Sequence, residues 1–216
     1  MIIINVKTQI MKFSKKLYFI LLATLLFSAC NSKTKVDTSK SESEKAADDR
    51  MDRMMTLYNN QNYAAFIEMA EKELELSDRM DGFLVPLADA YGQIGNFESA
   101  FYVIRIQLKR DSTDYNALLV VGNMHNVQER LDSAEIYYKR VIELNPAYAR
   151  AYLNLAMVYE KQDKKQEAIS NYLEAVTLFD LHNFKDEVVK FSNKVLELDS
   201  TNQKAKYYLE KVKSIK

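Results

Sequence analysis

Cysteine is almost missing from this chain: Cys30 is the single one in 216 residues. One thiol excludes an internal disulfide framework and a cysteine-built metal cluster. Histidine is nearly as scarce, with only His125 and His182. There is no His-x-x-x-His or His-Glu-x-x-His, no glycine-rich phosphate loop and no Gly-x-Ser-x-Gly. Zinc hydrolases, nucleotide-binding enzymes and serine hydrolases therefore have no motif here to stand on. Four glycines and two prolines are too few for a fold of many short strands and tight turns, and no sustained alternation of β-branched residues occurs. Tryptophan is absent, and 30 basic residues balance 30 acidic ones. That balance gives no case for nucleic-acid binding.

What remains is helix-forming and periodic. Between Asp81 and Asp180 the same residue types recur every 34 positions. Ala100, Ala134 and Ala168 share one phase. Leu84, Leu118 and Tyr152 share another, followed by Leu87, Val121 and Leu155, then Ala88, Gly122 and Ala156, then Tyr91, His125 and Tyr159. Ile104, Tyr138 and Tyr172 agree in the second half of each unit, and Ser112, Pro146 and Asp180 close the units. Positions 4, 7, 8 and 11 of a unit lie on one face of a first helix, and positions 20, 24 and 27 on one face of a second. Small residues at phases 8 and 20 let the two helices approach closely. His125 fills a slot held elsewhere by tyrosine, which points to packing rather than chemistry; His182 falls in a loop with no obvious partner. Turn signals separate the helices at Gly95-Asn96, Arg130-Leu131-Asp132 and Asp163-Lys164. A fixed period of this length marks stacked helix-turn-helix units.

These residues, with the junction Asn145-Pro146-Ala147, resemble the tetratricopeptide repeat family. The resemblance implies an all-α solenoid, a right-handed superhelix of antiparallel helix pairs, with about ten helices. Three units match without a gap, at 81–114, 115–148 and 149–180. Residues 46–80 form an atypical leading unit. There Asn62 to Phe66 parallels Asn96 to Ala100, but Phe66 replaces the small residue and Arg50 and Arg53 fall at core phases. Met51, Met54 and Met55 cluster in it, as core filler or as an adaptable contact surface. Pro86 lies at phase 6 of a first helix, so that helix is expected to start late, near Phe83, with Pro86 in its first turn. After Asp180 the period breaks. Segment 181–216 gives helices over Phe184–Leu198 and Gln203–Lys213: either a helix is lost and Gln203–Lys213 is a C-terminal capping helix, or the two form a divergent pair.

The first 29 residues have the pattern of a targeting segment. From Met11, the expected true start, Lys12, Lys15 and Lys16 precede an apolar run from Leu17 to Phe27. That run is shorter than the roughly 20 residues needed to span a bilayer and reads as a signal-peptide core. Phe27-Ser28-Ala29-Cys30 resembles a bacterial lipobox, departing from it at Phe27, where leucine is commoner. The resemblance implies a diacylglycerol and acyl (palmitate) modification on Cys30, the first residue after cleavage. Asn31 then favours the outer membrane, facing the periplasm. Residues 30–45 are polar and are expected to form a flexible tether. Removing residues 1–29 takes away Lys7, Lys12, Lys15 and Lys16 and no acid.

In this architecture phases 2, 5, 9 and 12 of the first helices line a concave groove. They give Val85 and Asp89; Asn116, Leu119, Asn123 and Asn126; Arg150, Leu153, Met157 and Glu160. On the leading unit they give Met51, Met55 and Tyr58. Some members of the family hold a C-terminal carboxylate with lysine at phase 5 and asparagine or arginine at phase 9. Only Asn123 fits that pattern, so that mode is not expected. The expected function is a lipid-anchored scaffold in the bacterial envelope that binds a peptide or protein in its groove. The alternative is a fixed accessory subunit of an outer-membrane assembly or secretion machine. Intrinsic catalysis is a distant third, and no cofactor, metal, small-molecule substrate or nucleic acid is expected.

Overall fold

The computed structural model describes residues 42–76 and 82–214. The signal segment, Cys30 and most of the expected tether lie outside them. The described residues contain ten helices and no strand: α1 Glu42–Asn59, α2 Tyr63–Leu76, α3 Leu84–Gln93, α4 Phe97–Arg110, α5 Tyr115–Val127, α6 Leu131–Leu144, α7 Ala149–Lys161, α8 Lys165–Leu181, α9 Lys185–Leu198 and α10 Gln203–Ser214. They fall into two compact units that divide between Val103 and Ile104.

The first unit holds α1, α2, α3 and the start of α4. Helix α1 begins at Glu42 rather than Ala46, so the last residues assigned to a tether are helical. Low apolar content suggested disorder there, but Glu and Lys are good helix formers. Met54 and Phe66 are buried, and the Phe66 ring lies 5.4 Å from that of Tyr58. The large residue at the small-residue phase is thus accommodated inside. Met51 and Met55 are half-buried. Arg50 stays on the surface of this core by pairing through Nε and Nη2 with both oxygens of the buried Glu73, at 2.8 and 3.3 Å. Helix α3 starts late: Phe83 is its N-cap, Leu87 N–H donates to Phe83 O, and Pro86 falls in the first turn.

One kind of turn recurs along the chain. At Gln61, Gly95, Glu129 and Asp163 the backbone is left-handed, with φ of 59°, 78°, 56° and 57°. At each, the next residue's N–H donates back five residues: Asn62 to Leu57, Asn96 to Tyr91, Arg130 to His125 and Lys164 to Tyr159. This is the Schellman closure of a helix C-terminus. The positions are 34 apart, and each joins the first helix of a pair to its second. A different junction separates the pairs. Asp111 Oδ1 accepts from the N–H and hydroxyl of Thr113, and Asn145 Oδ1 accepts from Ala147 N–H. Three residues past the first of these, Asp114 caps α5 by accepting from Asn116 and Ala117 N–H.

The series then steps by 20. Asn183 has φ of 60°, and Phe184 N–H donates to Phe179 O. Helix α8 is therefore entered and left through the same left-handed turn, and the two kinds of turn exchange order while the helix pairs continue with α9 and α10. The next junction is of the other kind: Asp199 Oδ1 accepts from both groups of Thr201, and Asn202 caps α10 through Ala205 N–H. Asp180, expected to close a unit, lies inside α8, which runs on to Leu181 for 17 residues where α6 has 14. There its carboxylate accepts from Lys211 at 2.6 Å.

The second unit is built on the small-against-large pairing. A Cβ on Gly122 would lie 2.6 Å from Cε1 of Tyr138, whose ring is fully buried. Ala134, Ala151, Ala156 and Ala168 are likewise fully buried in the same core. A smaller cluster of Val176, Val188 and Tyr208 joins α8, α9 and α10.

Gly122→Ala is expected to destabilise the chain by about 1–3 kcal/mol through overpacking against Tyr138, measured as a shift of the urea midpoint. Asp163→Gly is expected to act in the opposite direction, raising stability by about 1 kcal/mol by relieving a left-handed non-glycine residue. Thermal unfolding of the two variants beside the parent checks both signs.

Candidate functional site

The groove face of the second unit is carried by α5, α7 and α9. Its polar residues are not idle. Asn123 Oδ1 accepts from Tyr138 Oη and from Asn154 Nδ2, both at 2.9 Å. Lys161 Nζ donates to Asn126 Oδ1 and Glu129 Oε1, both at 3.0 Å. Glu160 accepts from Tyr172 Oη at 2.9 Å and from Lys194 Nζ at 2.7 Å. Partial burial opposes ionisation of Glu160, but the bonds from Lys194 and Tyr172 outweigh it and hold its carboxyl below the usual range. Burial, with a smaller contribution from Glu160, pushes the Tyr172 phenol well above its ordinary value. These bonds fix the spacing of α5, α7 and α9 more than they offer free donors to a ligand.

The apolar residues divide. Leu119 was expected in the groove, but it is only 8% exposed and belongs to the core. Leu153 is half-buried and Met157 is 43% exposed. Together with Glu160 they line a pocket of about 640 Å³ between α7 and α9, floored by Tyr172 of α8. A second pocket of about 390 Å³ shares Leu153 and continues toward Arg150, Phe179 and Phe184. Asn116 and Arg150 are exposed, and only Arg150 reaches this pair of pockets. Val85 and Asp89 belong to the first unit, where Asp89 accepts from Tyr58 Oη at 2.6 Å.

The α9 wall of both pockets was not anticipated. Lys190 and Phe191 line both, and Lys194 and Glu197 line the larger. A signal for them exists. Continuing the 34-residue period past Asp180 from Arg150, Leu153, Met157 and Glu160 gives Phe184, Glu187, Phe191 and Lys194. All four line one pocket or the other. The turns lose the period at α8, while the groove-lining side chains of α9 keep it. Aromatic rings link the two pockets: Phe191 stacks on Tyr172 at 6.2 Å and on Phe179 at 5.8 Å, and Phe184 meets Phe179 edge-on. His125 stacks on Tyr137 at 5.4 Å, as its place in the repeat suggested. Among the described residues no group of three or more His, Cys, Asp or Glu is placed to hold a metal ion. None of the described helices is long and apolar enough to cross a membrane.

Comparison with known proteins places this geometry. Residues 85–149 and 137–170 each match a tetratricopeptide repeat profile. Over 101 residues the chain is 27% identical to "Tetratricopeptide repeat protein 37" of Xenopus laevis, a match taking in 47% of this chain and 5% of that protein. The chain thus corresponds to a small fraction of that relative. Among solved structures, MamA superposes with a TM-score of 0.56 at 20% identity, over 74% of this chain and 92% of the other. MamA of Desulfovibrio magneticus, from residue 41 onward, gives 0.58 at 17% identity over 82% and 97%. A thermophilic repeat protein in Thermus thermophilus gives 0.55 at 17% identity over 78% and 99%. At such identities the likeness is one of fold. Period, paired helices, recurring turns and both profiles agree: the chain is a tetratricopeptide repeat protein.

Proposed function

We propose that this protein is a scaffold that binds a protein or peptide partner on the groove face of its second unit. The observation that carries the reading is the pair of adjoining pockets between α7 and α9. There Leu153, Met157 and Phe191 form an apolar surface within a face otherwise closed by hydrogen bonds. A mostly apolar lining with a few charged groups at its edge is the usual make-up of a binding pocket. An apolar pocket with a charged rim suits capture of a partner's side chains. The sequence supports the address: a lipobox-like Cys30 after a basic and apolar leader. On that support the scaffold is lipid-anchored in a bacterial envelope, at the periplasmic face of the outer membrane.

A fixed accessory subunit of an envelope assembly is the second reading. It is favoured by Tyr207, which stands 58% exposed on the terminal helix α10. Such a subunit would be held through that end of the chain rather than through the groove.

Crosslinking and pull-down from envelope membranes separates the two. With Leu153→Glu, Met157→Glu the partner recovered with the parent chain is expected to fall at least tenfold, with circular dichroism unchanged. A partner retained by that double variant but lost with Tyr207→Glu would establish the second reading in its place. Cys30→Ser is expected to abolish acyl labelling and move the protein out of the membrane fraction. A Cys30→Ser protein that stays membrane-bound would remove the anchor.

A further inference from the structure

The groove face changes character between its two seams. Between α5 and α7 polar side chains close it, through Asn154 on Asn123 and Lys161 on Asn126. Between α7 and α9 one end is closed, by Lys194 on Glu160. The remainder is the apolar pocket over Met157 and Phe191. This second seam follows the 20-residue step in the turn series, where α8 is three residues longer than α6. The break in the repeat and the pocket therefore coincide. About 640 Å³ is within the range of small-ligand sites and is ample for one or two bulky side chains.

The rim charges are unevenly satisfied. Glu160 and Glu197 both accept from Lys194, at 2.7 and 3.3 Å. Asp186 and Glu187 lie in the first turn of α9, where the helix dipole favours negative charge. Glu160 and Glu197 thus have compensation within the fold, while Asp186 and Glu187, which line the smaller pocket, form no ion pair with a described residue. Among the cations, Lys161 and Lys194 are engaged. Lys190 instead lies 5.2 Å over the face of Phe191, and Arg150 is exposed beside the smaller pocket. Neither forms an ion pair with a described residue. The larger cavity carries three lysines against two glutamates at its edge, with Lys190 outside any ion pair, and is complementary to an apolar side chain flanked by negative charge.

We propose that this pocket receives an acidic, apolar-anchored peptide segment: a Leu, Met or Phe side chain against Met157 and Phe191, with a neighbouring Asp or Glu on Lys190. The proposal rests on the groove reading above and adds the chemistry of the partner to it.

The test is selection from a phage-displayed library of random twelve-residue peptides on the purified full chain. Enriched peptides are expected to carry Leu, Met or Phe beside Asp or Glu. Binding of an enriched peptide, followed by fluorescence anisotropy, is expected to weaken roughly tenfold in Met157→Glu. It is expected to weaken about two- to fivefold in Lys190→Glu, because that pair is solvent-exposed. Both positions are exposed, so helical content should match the parent. Enriched peptides without acidic residues, equal binding by Met157→Glu, or no enrichment at all would overturn the proposal. If the membrane pull-down still loses its partner in Leu153→Glu, Met157→Glu, those outcomes remove this inference alone and leave the groove reading standing.

Discussion

The contact between Gly122 and Tyr138 governs the second unit. With no Cβ at Gly122, the Tyr138 ring lies flat against the backbone of α5, which sets how closely α5 and α6 approach. The same ring carries a hydroxyl through to the groove side, where it donates to Asn123. That asparagine oxygen also accepts from Asn154, one unit further on. One tyrosine therefore joins the core of a pair, the groove face and the next pair. Tyr172 repeats the device through Glu160 and Lys194. A second tie runs from the phase-11 tyrosine back to the preceding second helix, Tyr91 donating to Glu71 in the first unit and Tyr159 to Glu135 in the second. Stacked repeats depend on such nearest-neighbour links because each pair buries too little surface to stand alone.

Much of this was legible in the sequence, because a period reports spacing and spacing on a helix reports which residues share a face. The small residues at phases 8 and 20, the tyrosine at phase 24 and the late start at Pro86 all followed from chain geometry. Hydrogen-bond partners did not. Asn123 meets Asn154, and Tyr208 meets Thr177, each across 31 residues. That offset belongs to the pitch of the stack, which no local pattern encodes. Asn123, Asn126 and Glu160 were therefore legible as groove residues but not as residues already bound. Leu119 shows the other limit: phase gives angular position on a helix, while burial depends on what packs against that position.

The C-terminal break shows two signals parting company. Turn chemistry depends on a few backbone hydrogen bonds and a left-handed residue, and four of the five such turns use residues other than glycine. Gln61, Glu129, Asp163 and Asn183 leave little trace in composition, so the sequence showed a break of 20 residues after Ala168 but not that it lies in the order of the turns. The groove-lining pattern depends on side chains and persisted, so Phe184, Glu187, Phe191 and Lys194 could have been found by extending the period through the break. Residue pattern and turn pattern are separate records of a repeat, and here one outlasted the other.

Helix α9 forms a wall of both pockets and is anchored in the larger core by the fully buried Val195. The small cluster of Val176, Val188 and Tyr208 ties it to α8 and α10, and Phe191 is shared between that cluster and the larger core. The last helix adds two polar ties back to α8, Tyr208 to Thr177 and Lys211 to Asp180. Terminal elements of a stacked array open at lower free energy than its middle. Release of α10 would loosen α9 while α5, α6 and α7 stayed folded. Helix α10 lines neither pocket, yet its docking supports from behind the helix that walls both.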